Sequence, residues 1–109
     1  MVHMPGTLVI GCGGPGRRAV ARLDDPDFTY LTIDWNDSDI ALLRPGETED
    51  SVKGDRDLVR ARFLDHMEEL SSIVSEFPQV VLATSPASPI GRTSVEVISQ
   101  CARSSDKRF

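Results

Sequence analysis

The stretch "TLVIGCGGPGRRAVARL", residues 7–23, does most to limit what this chain can fold into. A β-branched apolar run closed by glycine reads as a strand covered on both faces, which is the habit of a parallel sheet. Beyond the glycines, Ala19, Val20 and Leu23 fall at i, i+1 and i+4, the apolar face of a short helix that "DDPD" brings to an end. A strand that turns at once into a helix is the opening of a βαβ unit.

Two further runs have strand character. "FTYLTID", residues 28–34, places aromatic and branched apolar side chains among threonines, and "QVVLAT", residues 79–84, follows Pro78. Between them, Asp37 or Ser38 is positioned to cap a brief helix over 40–43, and Pro45-Gly46 turns the chain. The polar segment after that turn is expected to hold a short edge strand over 51–53. Val59, Phe63, Met67, Leu70, Val74 and Phe77 then recur at helical spacing, which predicts one amphipathic helix of about 20 residues within 55–77. "SPASPIGRTS" reads as an irregular loop, and Val95, Ile98, Cys101 and Ala102 share one face of a last helix.

This alternation predicts a three-layer, Rossmann-like α/β domain with a mostly parallel sheet of about four strands. With right-handed crossovers the strand order is 3-2-1-4. The domain is expected over 7–104, between a disordered tail over 1–6, which holds His3, and a fraying tail over 105–109. In that order the fourth strand is an apolar edge with an open side, which points to a homodimer as one way of covering it.

Gly11, Gly13 and Gly16 have the G-x-G-x-x-G spacing between a strand and a helix, and Asp34 closes the next strand. Such a turn brings backbone close to a phosphate at a helix N-terminus, and the acidic residue is where a ribose hydroxyl finds its acceptor. The expected nucleotide-binding set is Gly11, Cys12, Gly13, Gly14, Gly16, Arg17, Arg18 and Asp34 from this half. Ser85, Gly91, Arg92 and Thr93 join it from the loop after the last strand. Arg17 or Arg18 is placed to pair with a phosphate or, equally, to be a solvated surface charge, whereas Pro15 lacks an N–H and thins the cradle. The alternative is that the glycines serve only close packing of strand on helix.

A net charge of −5 and an isoelectric point near 4.9 oppose a nucleic-acid footprint. No apolar run is long enough for a bilayer span, so no membrane partner is expected. Cys12 and Cys101 lack metal-ligand spacing, and a reducing cytoplasm is the expected setting. Asp34, Asp37 and Asp39 could in principle hold a cation, but capping and solvation are the ordinary roles of such residues, and no metal is predicted. Trp35 is expected as a half-buried loop residue, His66 as a boundary histidine of the long helix. Ser85, Ser88, Thr93 and Ser94 have no base placed to activate them, so no catalytic residue is assigned.

"VIGCGGPGRRAVARL" and "TIDWNDSDIAL" resemble the N-terminal nucleotide-binding segments of the tubulin/FtsZ superfamily. "DLVRARFLDHMEEL" matches the place of that family's long helix, and "VVLATSPASPIGRTSVEVISQCAR" its strand, glycine loop and helix, with Gly91 and Ser94 in register. The resemblance covers nearly the whole chain and only the N-terminal part of the family's domain. It implies GTP or GDP as ligand and a cytoskeletal or division protein as partner. The family's glycine-rich loop is here "SPASPIG", with Pro86 and Pro89 where N–H donors belong. Binding without GTP hydrolysis is therefore the expected function. "GCGGPG", "TID", Gly54-Asp55 and "VVLAT" also resemble the dinucleotide-binding regulatory domains of potassium-transport proteins, which implies NAD or ATP instead.

Overall fold

A computed structural model describes residues 6–104. The chain runs β1 (Thr7–Cys12), α1 (Gly13–Ala21), β2 (Phe28–Asp34), β3 (Ile40–Ala41), α2 (Glu49–Val52), α3 (Arg56–Leu64), α4 (Met67–Ser75), β4 (Gln79–Ala83) and α5 (Pro89–Ser104). All pairings are parallel and the order is β3-β2-β1-β4, the 3-2-1-4 arrangement read from the sequence. Gly6 already belongs to the ordered domain, its carbonyl accepting the Gln79 N–H at 3.1 Å. The other expected tail residues, 1–5 and 105–109, lie outside the described residues.

The alternating faces of β1 divide the molecule. Leu8, Ile10 and Cys12 point into the main core with Phe63, Leu70, Val74, Val97 and Ile98 from α3, α4 and α5. Val9 and Gly11 point the other way, toward α1. That side is thin, because a single helix covers it and Leu23 beyond its end is exposed. Burial of apolar surface is thus concentrated between the sheet and the three later helices.

Three sequence-based expectations give way to local chemistry. Residues 40–41 form a strand instead of a helix. Parallel neighbours usually need a dozen or more linking residues, yet residues 35–39 suffice between β2 and β3. Asp37 adopts φ 52°, in the left-handed region that Asp tolerates. Asp39 then ties the loop down, its carboxylate accepting the Thr32 N–H at 2.9 Å while its own N–H donates to Thr32 Oγ1 at 3.2 Å.

The expected edge strand at 51–53 is instead the end of α2 and its cap. Thr48 and Ser51 exchange side-chain and backbone hydrogen bonds in a reciprocal capping box, which starts a helix where the polar composition had read as an edge. The single long helix is two, broken at 65–66. Asp65 caps α3 and gives its carboxylate to Arg44, at 2.8 and 2.7 Å, while the His66 N–H tightens onto Phe63. The apolar spacing keeps phase across this break, which is why periodicity alone does not reveal it.

Candidate functional site

β1 feeds α1 toward β2 on one side of the sheet, whereas β4, its neighbour on the other side, feeds α5. Their carboxyl ends flank the point where strand order reverses, the place where open α/β sheets bind ligands. A cleft of about 390 Å³ lies there, lined by Gly13, Gly14 and Pro15 of α1, Asp34 to Asn36 after β2, Glu49 and Lys53 of the α2 segment, and Ser88 to Ile90 at the start of α5. The sequence-predicted residues that meet in it are Gly13, Gly14 and Asp34.

The glycines divide by what a side chain would meet. On Gly11 a Cβ would lie 2.6 Å from both the Gly16 carbonyl oxygen and Val20 Cγ2. On Gly16 it would collide with the Ala83 carbonyl, and on Gly91 with the Ser85 carbonyl. These three glycines let helices approach strand and loop backbone, as the packing alternative requires. Gly13 has φ 73°, a conformation strained for any other residue and needed to turn β1 directly into α1. Gly14 differs from all of them: its Cβ would meet only the tip of Arg18, at 3.2 Å. No packing or backbone demand accounts for glycine at this position, and its backbone borders the cleft.

At the N-terminus of α1 no side chain caps the first N–H groups. The helix therefore presents donors and the positive end of its dipole to the cleft. Pro15, third in the helix, contributes no donor, as expected. Cys12 gives the cleft no side chain: it is wholly buried, and burial, with the nearby Asp34 charge, pushes its thiol up to about 12 despite a favourable hydrogen bond with Ser94. Its carbonyl accepts Thr84 Oγ1 at 3.4 Å.

Asp34 stands at the end of β2 with 15% of its side chain exposed. One oxygen accepts the Trp35 N–H at 2.8 Å and the other accepts from Arg17 Nη1 at 3.2 Å. Arg17 thus faces the carboxylate instead of a phosphate position over the turn, and Arg18 lies exposed along Gly14. Trp35 is more buried than its loop position indicates and belongs to the core while lining the cleft.

The loop after β4 is short, because α5 starts at Pro89 and not near Ser94. Ser88 Oγ accepts the Gly91 N–H at 2.8 Å and donates to the Ser85 carbonyl at 3.2 Å. The hydroxyl of Ser88 thereby occupies the donor that a phosphate would use, and Pro89 supplies none. Ser85 accepts from the Ala87 N–H at 3.3 Å and does not line the cleft. Ser94 is buried with its hydroxyl donating to the Gly91 carbonyl. Arg92 and Thr93 face an adjoining cavity.

Among the described residues, no group of three or more His, Cys, Asp or Glu is arranged to hold a metal. Asp34 and Asp39 are engaged as described, and Asp37 serves the turn. His66 pairs with Glu69, 3.4 Å away at the start of α4. No described helix is long and apolar enough to cross a membrane. Sequence reasoning did not find Glu49 and Lys53 as cleft residues. Their signal was the Thr48–Ser51 capping pair, which sets them on a helix over the sheet's carboxyl end. No family model matches the chain, and no curated protein matches it.

Proposed function

We propose that this chain is a nucleotide-binding regulatory domain that holds its ligand without turning it over. Gly14 carries the reading: a glycine without a packing role, at an uncapped helix N-terminus, opens onto the cleft at the switch point of the sheet. In this reading the N–H groups of Gly13 and Gly14 approach a phosphate. Asp34 and Glu49 accept ribose hydroxyls after Arg17 swings aside, and Trp35 forms part of the wall. The resemblance to the tubulin/FtsZ superfamily puts GTP and GDP first, with a cytoskeletal or division protein as downstream partner. Ser88 favours a second ligand class, since its capping of Gly91 removes the second phosphate cradle that the resemblance calls for. A dinucleotide or ATP, held by the α1 turn and Asp34, needs no such cradle.

A thermal-shift and calorimetry panel of GTP, GDP, ATP and NAD tests this. At ten times Kd a ligand adds about 1.4 kcal/mol, a rise in Tm of about 6–11 °C for a domain of this size. Gly14→Glu sets a carboxylate at the helix N-terminus and abolishes the shift, while Asp34→Asn weakens binding through the ribose. Absence of stabilisation by all four at millimolar concentration overturns the proposal. The exposed edge of β4, with Val81 42% accessible, supports homodimerisation as a further reading for the domain's signalling.

A further inference from the structure

A second cavity, of about 340 Å³, adjoins the cleft and shares Lys53 and Pro89 with it. Arg56 and Arg92 complete a set of three cations around it, and no Asp or Glu lines it. In a chain of net charge −5 this concentration of one sign is unusual, and the ion pairs elsewhere sharpen the contrast. Arg17, Arg44, Arg60 and Arg62 each face a carboxylate, whereas Arg56 and Arg92 make no ion pair among the described residues. Lys53 is held only by the exposed Asp50, at 2.9 Å. Lys53 is offset by Asp50, but Arg56 and Arg92 are exposed cations with no carboxylate partner among the described residues, and an anion held between the three would be attracted by all of them.

Arg56 opens α3, whose first N–H groups are capped by the Asp55 carboxylate, while Pro89, Arg92 and Thr93 open α5, where Ser88 Oγ takes the Gly91 N–H, so the donors the cavity offers are side chains and not helix ends. The Thr93 side chain is only 6% exposed, lines the cavity, and its hydroxyl has no hydrogen-bond partner among the described residues. The hydroxyl is reachable from the cavity and has a donor to offer a ligand there.

We infer that this cavity is a subsite for the outer phosphates of a nucleoside di- or triphosphate, with Lys53, Arg56, Arg92 and the Thr93 hydroxyl as its donors. The inference rests on the nucleotide reading of the neighbouring cleft and deepens it. A ligand whose first phosphate lies over Gly13 and Gly14 continues past Lys53 into the cationic cavity. Monophosphates occupy the cleft alone, so the subsite ranks ligands by phosphate number.

The test is calorimetry on the full chain with GMP, GTP, AMP, ATP and inorganic pyrophosphate, for wild type, Arg56→Gln, Arg92→Gln and Gly14→Glu. Both arginines are exposed, and thermal melts within about 2 °C of wild type confirm that these variants fold. The expected result is that each arginine variant weakens triphosphate and pyrophosphate about tenfold and changes monophosphate less than about twofold. Triphosphate binding that is lost in Gly14→Glu but indifferent to both arginine substitutions overturns the subsite and leaves the nucleotide reading standing. Pyrophosphate binding that depends on the arginines, with no nucleotide bound at the cleft, upholds an anion subsite and overturns the nucleotide reading.

Discussion

Gly16→Ala and Gly14→Ala, two substitutions of the same chemistry two residues apart in one helix, are expected to move stability in opposite directions. At Gly16 the added methyl runs into the Ala83 carbonyl and comes within 3.0 Å of the Gly11 carbonyl carbon. Neither neighbour is a flexible tip, so α1 must withdraw from the β1–β4 seam, an overpacking cost of about 2–3 kcal/mol. Helix propensity returns about 1 kcal/mol, leaving a net loss of about 1–2 kcal/mol and a fall in Tm of at least about 4 °C. At Gly14 the methyl meets only Arg18 Nη1, which can rotate away, so the lower entropy of the unfolded chain yields a gain of about 0.4–1 kcal/mol. Paired urea and thermal denaturations with equal m-values measure both effects. A Gly16→Ala protein that melts at or above wild type would refute the assignment of this glycine to packing. With it would go the division of the glycine run into packing and ligand positions.

Other outcomes follow from the same geometry. Glu47 receives Arg62, itself almost wholly buried, through two hydrogen bonds of 2.8 and 2.5 Å, so Glu47→Gln should lower the urea midpoint more than Asp50→Asn, whose partner Lys53 is exposed. The Arg62 guanidinium holds the Glu47 carboxyl below its ordinary value. The stabilisation is therefore complete above the unfolded carboxyl's pKa and lost as pH falls through the folded one, and an acid titration should be flatter in Glu47→Gln than in wild type. Cys12 keeps in the folded chain a proton that the unfolded chain releases above pH 9.0, so its contribution is whole below that pH and declines toward about 12, by up to about 1.4 kcal/mol per pH unit. Alkaline denaturation of Cys12→Ala should show a shallower decline over that window. If the open edge of β4 pairs two chains as proposed, wild type should associate with rising concentration in sedimentation and Val81→Lys should remain monomeric, with a change in stability of less than about 0.5 kcal/mol.

Much of the frame was legible because its signals are local. The apolar runs of β1, β2 and β4 mark strands covered by helices, and alternation with helices constrains the order to 3-2-1-4. The elements misread in sequence are those settled by contacts at a distance or by a single side chain. Ile40 to Leu43 is too short an apolar run for its period to choose between helix and strand, and Asp39 reaching back to Thr32 decides it. The break at 65–66 goes with a bidentate contact to Arg44, 21 residues earlier. In the site, the G-x-G-x-x-G pattern located the cleft but could not rank its glycines. Whether one is needed for packing depends on how closely Ala83 or Ser85 approaches from elsewhere in the chain. Arg17 was assigned to a phosphate because sequence neighbours suggested it, whereas the nearer opposite charge in space is Asp34.

The central place of β1 also dictates an order of assembly. Its pairing with β2 joins segments about one helix apart, but its pairing with β4 brings together Thr7 and Gln79, which are 72 residues apart. Closing that seam carries the larger loop entropy and depends on the intervening helices being in place, so it belongs late in folding. Until it closes, the growing chain shows its most apolar strand with one edge bare, at the stage when encounters between chains do the most harm.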